Sequence, residues 1–159
     1  MASLKLFVLL GLVALSFAFP VPTNKEVKEL YELLPEECRK FYQELTEADL
    51  QVFHELKPQL KGKSDEESYA VIASKSKNLA DRTKEMYEKL FSKIETLSAK
   101  PKKYMTELVN KIENIDATTV EAWLEKVDEE VYSLGKPEQA VQDEIVKAFP
   151  TLKEFWSEM

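Results

Sequence analysis

Residues 79–115 read LADRTKEMYEKLFSKIETLSAKPKKYMTELVNKIENI, and their spacing decides the fold class. Leu79, Thr83, Met86, Tyr87, Leu90, Phe91, Ile94 and Leu97 recur at three- and four-residue intervals, which puts them on one face of a helix. Tyr104, Met105, Leu108, Val109, Ile112 and Ile115 repeat the pattern after Pro101. The two stretches predict a pair of antiparallel amphipathic helices joined around Ser98 to Lys100.

The same period extends in both directions. Toward the C-terminus, Val120, Trp123, Leu124, Val127, Val131 and Leu134 mark one helix. Val141, Ile145, Val146 and Phe149 mark another, and Pro150 starts a short terminal piece through Trp156. Toward the N-terminus, shorter helices are predicted near Lys25 to Leu33, Pro35 to Leu45, Glu47 to Lys57 and Asp65 to Lys75, with a loop at Gly62. Three of their starts carry capping boxes: Thr23 with Glu26, Thr46 with Asp49 and Ser64 with Glu67. Pro35, Pro101 and Pro137 are expected in first helical turns, where a missing N–H is harmless, and Gly135 reads as a helix stop.

Strands have no such support. No alternating apolar and polar run of useful length appears, and only Gly62 and Gly135 lie beyond residue 18, too few for β turns or phosphate-cradling loops. Helix starts are unevenly spaced, which excludes a solenoid. The expectation is all-α, a single compact domain of about eight or nine mostly short amphipathic helices.

Met1 to Ala18 is a segment of another kind. Lys5 gives a positive start, Leu6 to Leu15 is apolar, and Ser16-Phe17-Ala18 places small residues where a signal peptidase reads. Leu6 to Phe19 is 14 residues, short of the ~20 a spanning helix needs, and Pro20 and Pro22 end it. Residues 1–18 are therefore read as a secretory signal and 19–159 as the folded domain, placing the protein outside the cell. Cleavage leaves 21 basic against 29 acidic residues, a net charge of −8, so nucleic acid is a poor partner. Cys38 is the sole cysteine, which rules out an internal disulfide and leaves the fold to packing.

Catalytic chemistry finds little to work with. His54 is the single histidine, and a Cys/His or Ser/His mechanism would need it to meet Cys38 or a serine by tertiary accident. One His and one Cys do not make a zinc site, and no calcium-loop pattern occurs, so no metal or cofactor is expected. Glu36-Glu37, Glu66-Glu67 and Glu129-Glu130 are adjacent pairs among lysines, read as solvated surface rather than acid/base dyads. The asparagines lack Ser or Thr two residues later, so N-glycosylation is not expected.

The remaining inventory is apolar. Phe41, Phe53, Phe91, Met86, Met105 and Trp123 are bulky or pliable side chains spread over several helices. Such stripes ordinarily form core; the functional alternative is that short helices enclose an apolar cavity for a ligand.

Residues 34–49, LPEECRKFYQELTEAD, resemble the P-x-E-x-x-x-F-Y-x-x-L-T-x-E/A-D stretch of nematode fatty-acid- and retinol-binding proteins. Ser64-Asp65-Glu66-Glu67 with its helix, Lys75-Ser76-Lys77-Asn78-Leu79-Ala80, the long helix to Leu97 and Phe149-Pro150 follow in the family's order. The turn usually written Gly-Pro reads Ser98-Ala99-Lys100-Pro101 here, and the helix with Trp123 is only loosely similar. The resemblance implies a secreted all-helical carrier that holds fatty acids and retinol in an internal apolar cavity, without catalysis or metal. It also places Thr46 in a segment matching an acidic-directed kinase pattern, which the capping box explains more simply.

On that basis the cavity is expected to be lined by Phe41, Phe53, Ile72, Met86, Leu90 and Phe91. Ile94, Met105, Leu108, Ile112, Trp123 and Val127 complete the expected lining. Arg39, Arg82, Lys100, Lys102 and Lys103 are the candidates for meeting a ligand head group, and the three lysines for transient contact with an acidic membrane surface. The rival reading is a secreted helical interaction or effector protein that acts through its surface.

Overall fold

The computed structural model describes residues 28, 31–60, 62–115, 120–157 and 159, with the side chains of Glu113, Val120, Glu121, Trp123 and Leu124 outside that description. Among the described residues there are seven α-helices, one 3-10 turn and no strand. They are α1 (Glu36–Gln43), α2 (Glu47–Leu60), α3 (Asp65–Lys75), α4 (Lys77–Glu95), α5 (Ala99–Glu113), α6 (Val120–Leu134) and α7 (Gln139–Ala148), with the 3-10 turn at Pro150–Leu152. The helix expected over Lys25 to Leu33 falls mostly outside the described residues; those of its residues that are described, 28 and 31–33, are helical, and the Thr23 capping box lies wholly outside them.

Local chemistry sets most boundaries. At α2, Thr46 N–H donates to Asp49 Oδ2 at 3.0 Å and Asp49 N–H to Thr46 Oγ1 at 3.2 Å, a complete capping box. At α3, Ser64 N–H donates to Glu67 Oε2 at 2.8 Å and Glu67 N–H returns the bond to Ser64 Oγ at 3.2 Å. Ser76 is the single residue between α3 and α4. Its N–H donates to Ile72 O, closing one helix, and its Oγ accepts from Leu79 N–H, opening the next. Gly135 ends α6 at φ 77°, a left-handed turn that a side chain would strain.

Two prolines lie outside the first helical turns expected for them, while Pro101 falls in the first turn of α5. Pro35 is the N-cap of α1 rather than its first helical residue, and Pro137 precedes the N-cap Glu138 of α7. Proline's φ suits the residues just before a helix as well as those inside its first turn. The helix expected over Glu47 to Lys57 runs on to Leu60, with Pro58 inside it. A proline near a C-terminus forfeits one hydrogen bond, and burial of Leu60 against the core favours continuing.

Helix α4 is central, touching α1, α3 and α5, while α3 carries α2, and α5 carries α6 and α7. The stretches that decide the fold do form α4 and α5, linked through Thr96–Ser98. Their broadest contacts, however, are with α3 and α6 respectively rather than with each other. Where the turn lacks a glycine, Ser98 is fastened from outside: its N–H and Oγ–H donate to the carboxylate of Glu144 in α7 at 2.6 and 2.8 Å. A second tie joins the C-terminus to α5 and α6. Trp156 Nε1–H donates to Tyr104 Oη, which donates to Gly135 O, each at 3.1 Å.

Candidate functional site

The side chains that the sequence assigns to an apolar lining converge. Phe41 from α1, Phe53 from α2, Ile72 from α3, Met86, Leu90 and Ile94 from α4, Met105 and Leu108 from α5 and Val127 from α6 lie buried in one cluster. Their helical periodicity aims them inward, because residues three or four apart share a face. Phe91 and Ile112 are half-buried at the margin, packed also against Val109. Tyr87 and Phe91 stack with ring centroids 4.6 Å apart. Trp123 lies outside the described side chains.

Two sulfurs meet inside this region: Cys38 Sγ on α1 is 3.8 Å from Met86 Sδ on α4. Burial pushes the Cys38 thiol up to about 12, with the charge of Glu37 adding to the effect. Such a thiol is neither nucleophile nor ready disulfide partner. His54 is exposed on α2 while Cys38 is buried on α1, so the two do not form a catalytic pair. No cluster of three or more His, Cys, Asp or Glu side chains able to hold a metal ion occurs among the described residues. No described helix is long and apolar enough to cross a membrane.

The five candidate head-group cations occupy different settings. Arg82 Nη2–H donates to Asp49 Oδ2 at 2.8 Å and its Nε–H to Asn78 Oδ1 at 2.8 Å, in a partly buried bridge from α4 to the start of α2. Burial alone would raise the Asp49 carboxyl, but Arg82 and the Thr46 N–H outweigh it and hold the group below the usual carboxylate range. Lys100 pairs with Glu138 at 3.3 Å, Lys102 with Glu95 at 3.1 Å and Lys103 with Glu107 at 3.7 Å. Lys102 and Lys103 also border an open surface depression of about 580 Å³ with Ala99, Thr106 and Glu107, outside the apolar cluster. Arg39, half-buried on α1, has its Nε sealed from solvent without an acceptor among the described residues, a condition shared by Ser68 Oγ.

Phe149, on the apolar stripe of its predicted helix, is almost wholly buried, as is Trp156, which sequence reasoning placed only at the end of a terminal piece. The i, i+4 spacing of Leu152 and Trp156 was the available signal. Asp49 as the partner of Arg82 left no trace, since the two are 33 positions apart and linked only by the folded chain.

The interior is built of apolar side chains from six helices, with Asp49, Ser68 and Thr83 as the buried polar residues among those described, and a lining of that kind suits an oily guest. No curated protein and no solved structure matches the chain. The sequence model described as nematode fatty acid retinoid binding protein (Gp-FAR-1) matches residues 28–159, and the chain belongs to that family.

Proposed function

We propose that this protein is a secreted carrier that takes up long-chain fatty acids and retinol reversibly into its apolar interior and releases them unchanged. The carrying observation is the convergence of Phe41, Phe53, Ile72, Met86, Leu90, Ile94, Met105, Leu108 and Val127 in one buried region of a chain whose family is named for binding fatty acids and retinoids. Methionine at two of these positions supplies side chains that repack at little cost around guests of different shape. Partitioning supplies the energy: at about 0.8 kcal/mol per methylene, ten buried methylenes give roughly 8 kcal/mol, close to the 8.2 of micromolar affinity. Longer tails leave a surplus against ordering costs. The signal-like residues 1–18 support secretion.

Displacement of a fluorescent fatty acid tests the reading. Saturable micromolar binding, displaced by retinol and strengthening with tail length, is the expected result. No displacement at tens of micromolar refutes it and favours a protein acting through its surface.

A further inference from the structure

The five candidate cations are not equivalent once the chain is folded. Arg82 is held by Asp49, and Lys100, Lys102 and Lys103 each face a glutamate. Lys100 and Lys103 are also largely solvated, so exchanging water for a ligand carboxylate gains them little. Among the described residues Arg39 is the exception, for its side chain has neither an ion-pair nor a hydrogen-bond partner, and its Nε is closed off from water. A buried donor on a cation is costly when unmatched, more so than a neutral one, and native chains tolerate it where another molecule supplies the acceptor.

Its position fits that use. Arg39 directly follows Cys38, and Cys38, Phe41 and Tyr42 form the buried face of α1. The guanidinium therefore stands at the edge of the apolar interior, one residue from the Cys38–Met86 contact that carries α1 onto α4. Helical spacing keeps Arg39 off the centre of that face and beside it. A planar fork of this kind grips a carboxylate through two parallel N–H bonds, which an ammonium does not reproduce.

We propose that Arg39 is the anchor for the carboxylate of a bound fatty acid, its Nε–H and one Nη–H holding the two oxygens while the tail enters along the side of α1 that carries Cys38 and Tyr42. This rests on the carrier reading above. Retinol and fatty alcohols bring no carboxylate, so Arg39 sorts ligands by head group and leaves their tails to the apolar residues.

Arginine Nε–H resonances test this directly, because Arg39 and Arg82 are the only arginines in the chain. Oleate added to ¹⁵N-arginine-labelled protein should shift the Arg39 Nε–H saturably and leave Arg82 in place, whereas oleyl alcohol should bind without that shift. Arg39→Met and Arg39→Gln should weaken oleate roughly tenfold to hundredfold, as for loss of a charged hydrogen-bonded pair, with oleyl alcohol and retinol within about twofold of wild type. The proposal is overturned if the wild-type chain binds oleate with the Arg39 resonance unmoved, or if either variant weakens acid and alcohol alike. Failure of the wild-type chain to bind any of these lipids would refute the carrier reading itself, a result distinct from those two.

Discussion

Asp49→Asn should unfasten α2 from α4, and the structure sets the size of the effect. The Asp49 carboxylate accepts Arg82 Nη2–H at 2.8 Å and the Thr46 N–H at 3.0 Å, with side chains 12% exposed for Asp49 and 27% for Arg82. Unit charges about 4 Å apart at an effective dielectric of 20 interact by about 4 kcal/mol. Desolvating the carboxylate and leaving part of Arg82 in water remove more than half of that. A coupling of about 1–2 kcal/mol remains, to be read from urea unfolding of Asp49→Asn, Arg82→Met and the double variant. Because folding depresses the Asp49 pKa, this stability is fully present above the ordinary carboxyl value of 3.8 and is lost as pH falls through the lower folded value. Asp49→Asn should therefore flatten the acid limb of the stability profile. A coupling below about 0.5 kcal/mol, or an unchanged acid limb, would refute the reasoning. It would also return Arg82 to the pool of cations free to meet a ligand.

Three further outcomes follow from single residues. Cys38, buried and with its thiol pushed up to about 12, should resist iodoacetamide at pH 8 until denaturant is added; rapid labelling of the native protein would contradict its placement. Phe149→Ala should cost about 3–5 kcal/mol in urea unfolding, since the ring is 1% exposed at the junction of α7 and the 3-10 turn, and a loss under ~1 kcal/mol would contradict that packing. Gly135→Ala should cost about 1 kcal/mol, from backbone strain alone, because φ is 77° and an added Cβ meets nothing within 4 Å. An unchanged midpoint would place that turn in another conformation.

What the sequence reveals and what it withholds divide along physical lines. Helix identity is written locally: the Ser64 and Thr46 capping boxes, Gly135 and the three-and-four spacing of Leu79 to Leu97 each act within a few residues, and each appears where expected. Helix pairing is not local. The periodicity of α4 says which face is apolar but not which neighbour covers it, so α3, joined through Ser76, makes a broader contact with α4 than α5 does. Prolines are ambiguous for a related reason, as φ near −65° serves Pro35 before a helix and Pro58 within one. Burial of Phe41, Phe53, Ile72 and Met105 follows from pattern, because exposing such side chains is costly. The division among the cations is invisible in sequence. Arg39 and Arg82 read alike as residues on amphipathic helices, and only the folded chain brings Asp49 to Arg82 and leaves the Arg39 Nε without an acceptor among the described residues.

A fatty tail that enters the interior bounded by α1, α4 and α5 must come close to the methionine methyl groups there, which therefore report on that space. Met86 and Met105 are 4% and 5% exposed, so surface adsorption of lipid leaves them undisturbed. With ¹³C-methyl methionine and oleate titrated to saturation, both core methyl resonances should shift together and saturate with the ligand. Saturable oleate binding with Met86 and Met105 unmoved would contradict it.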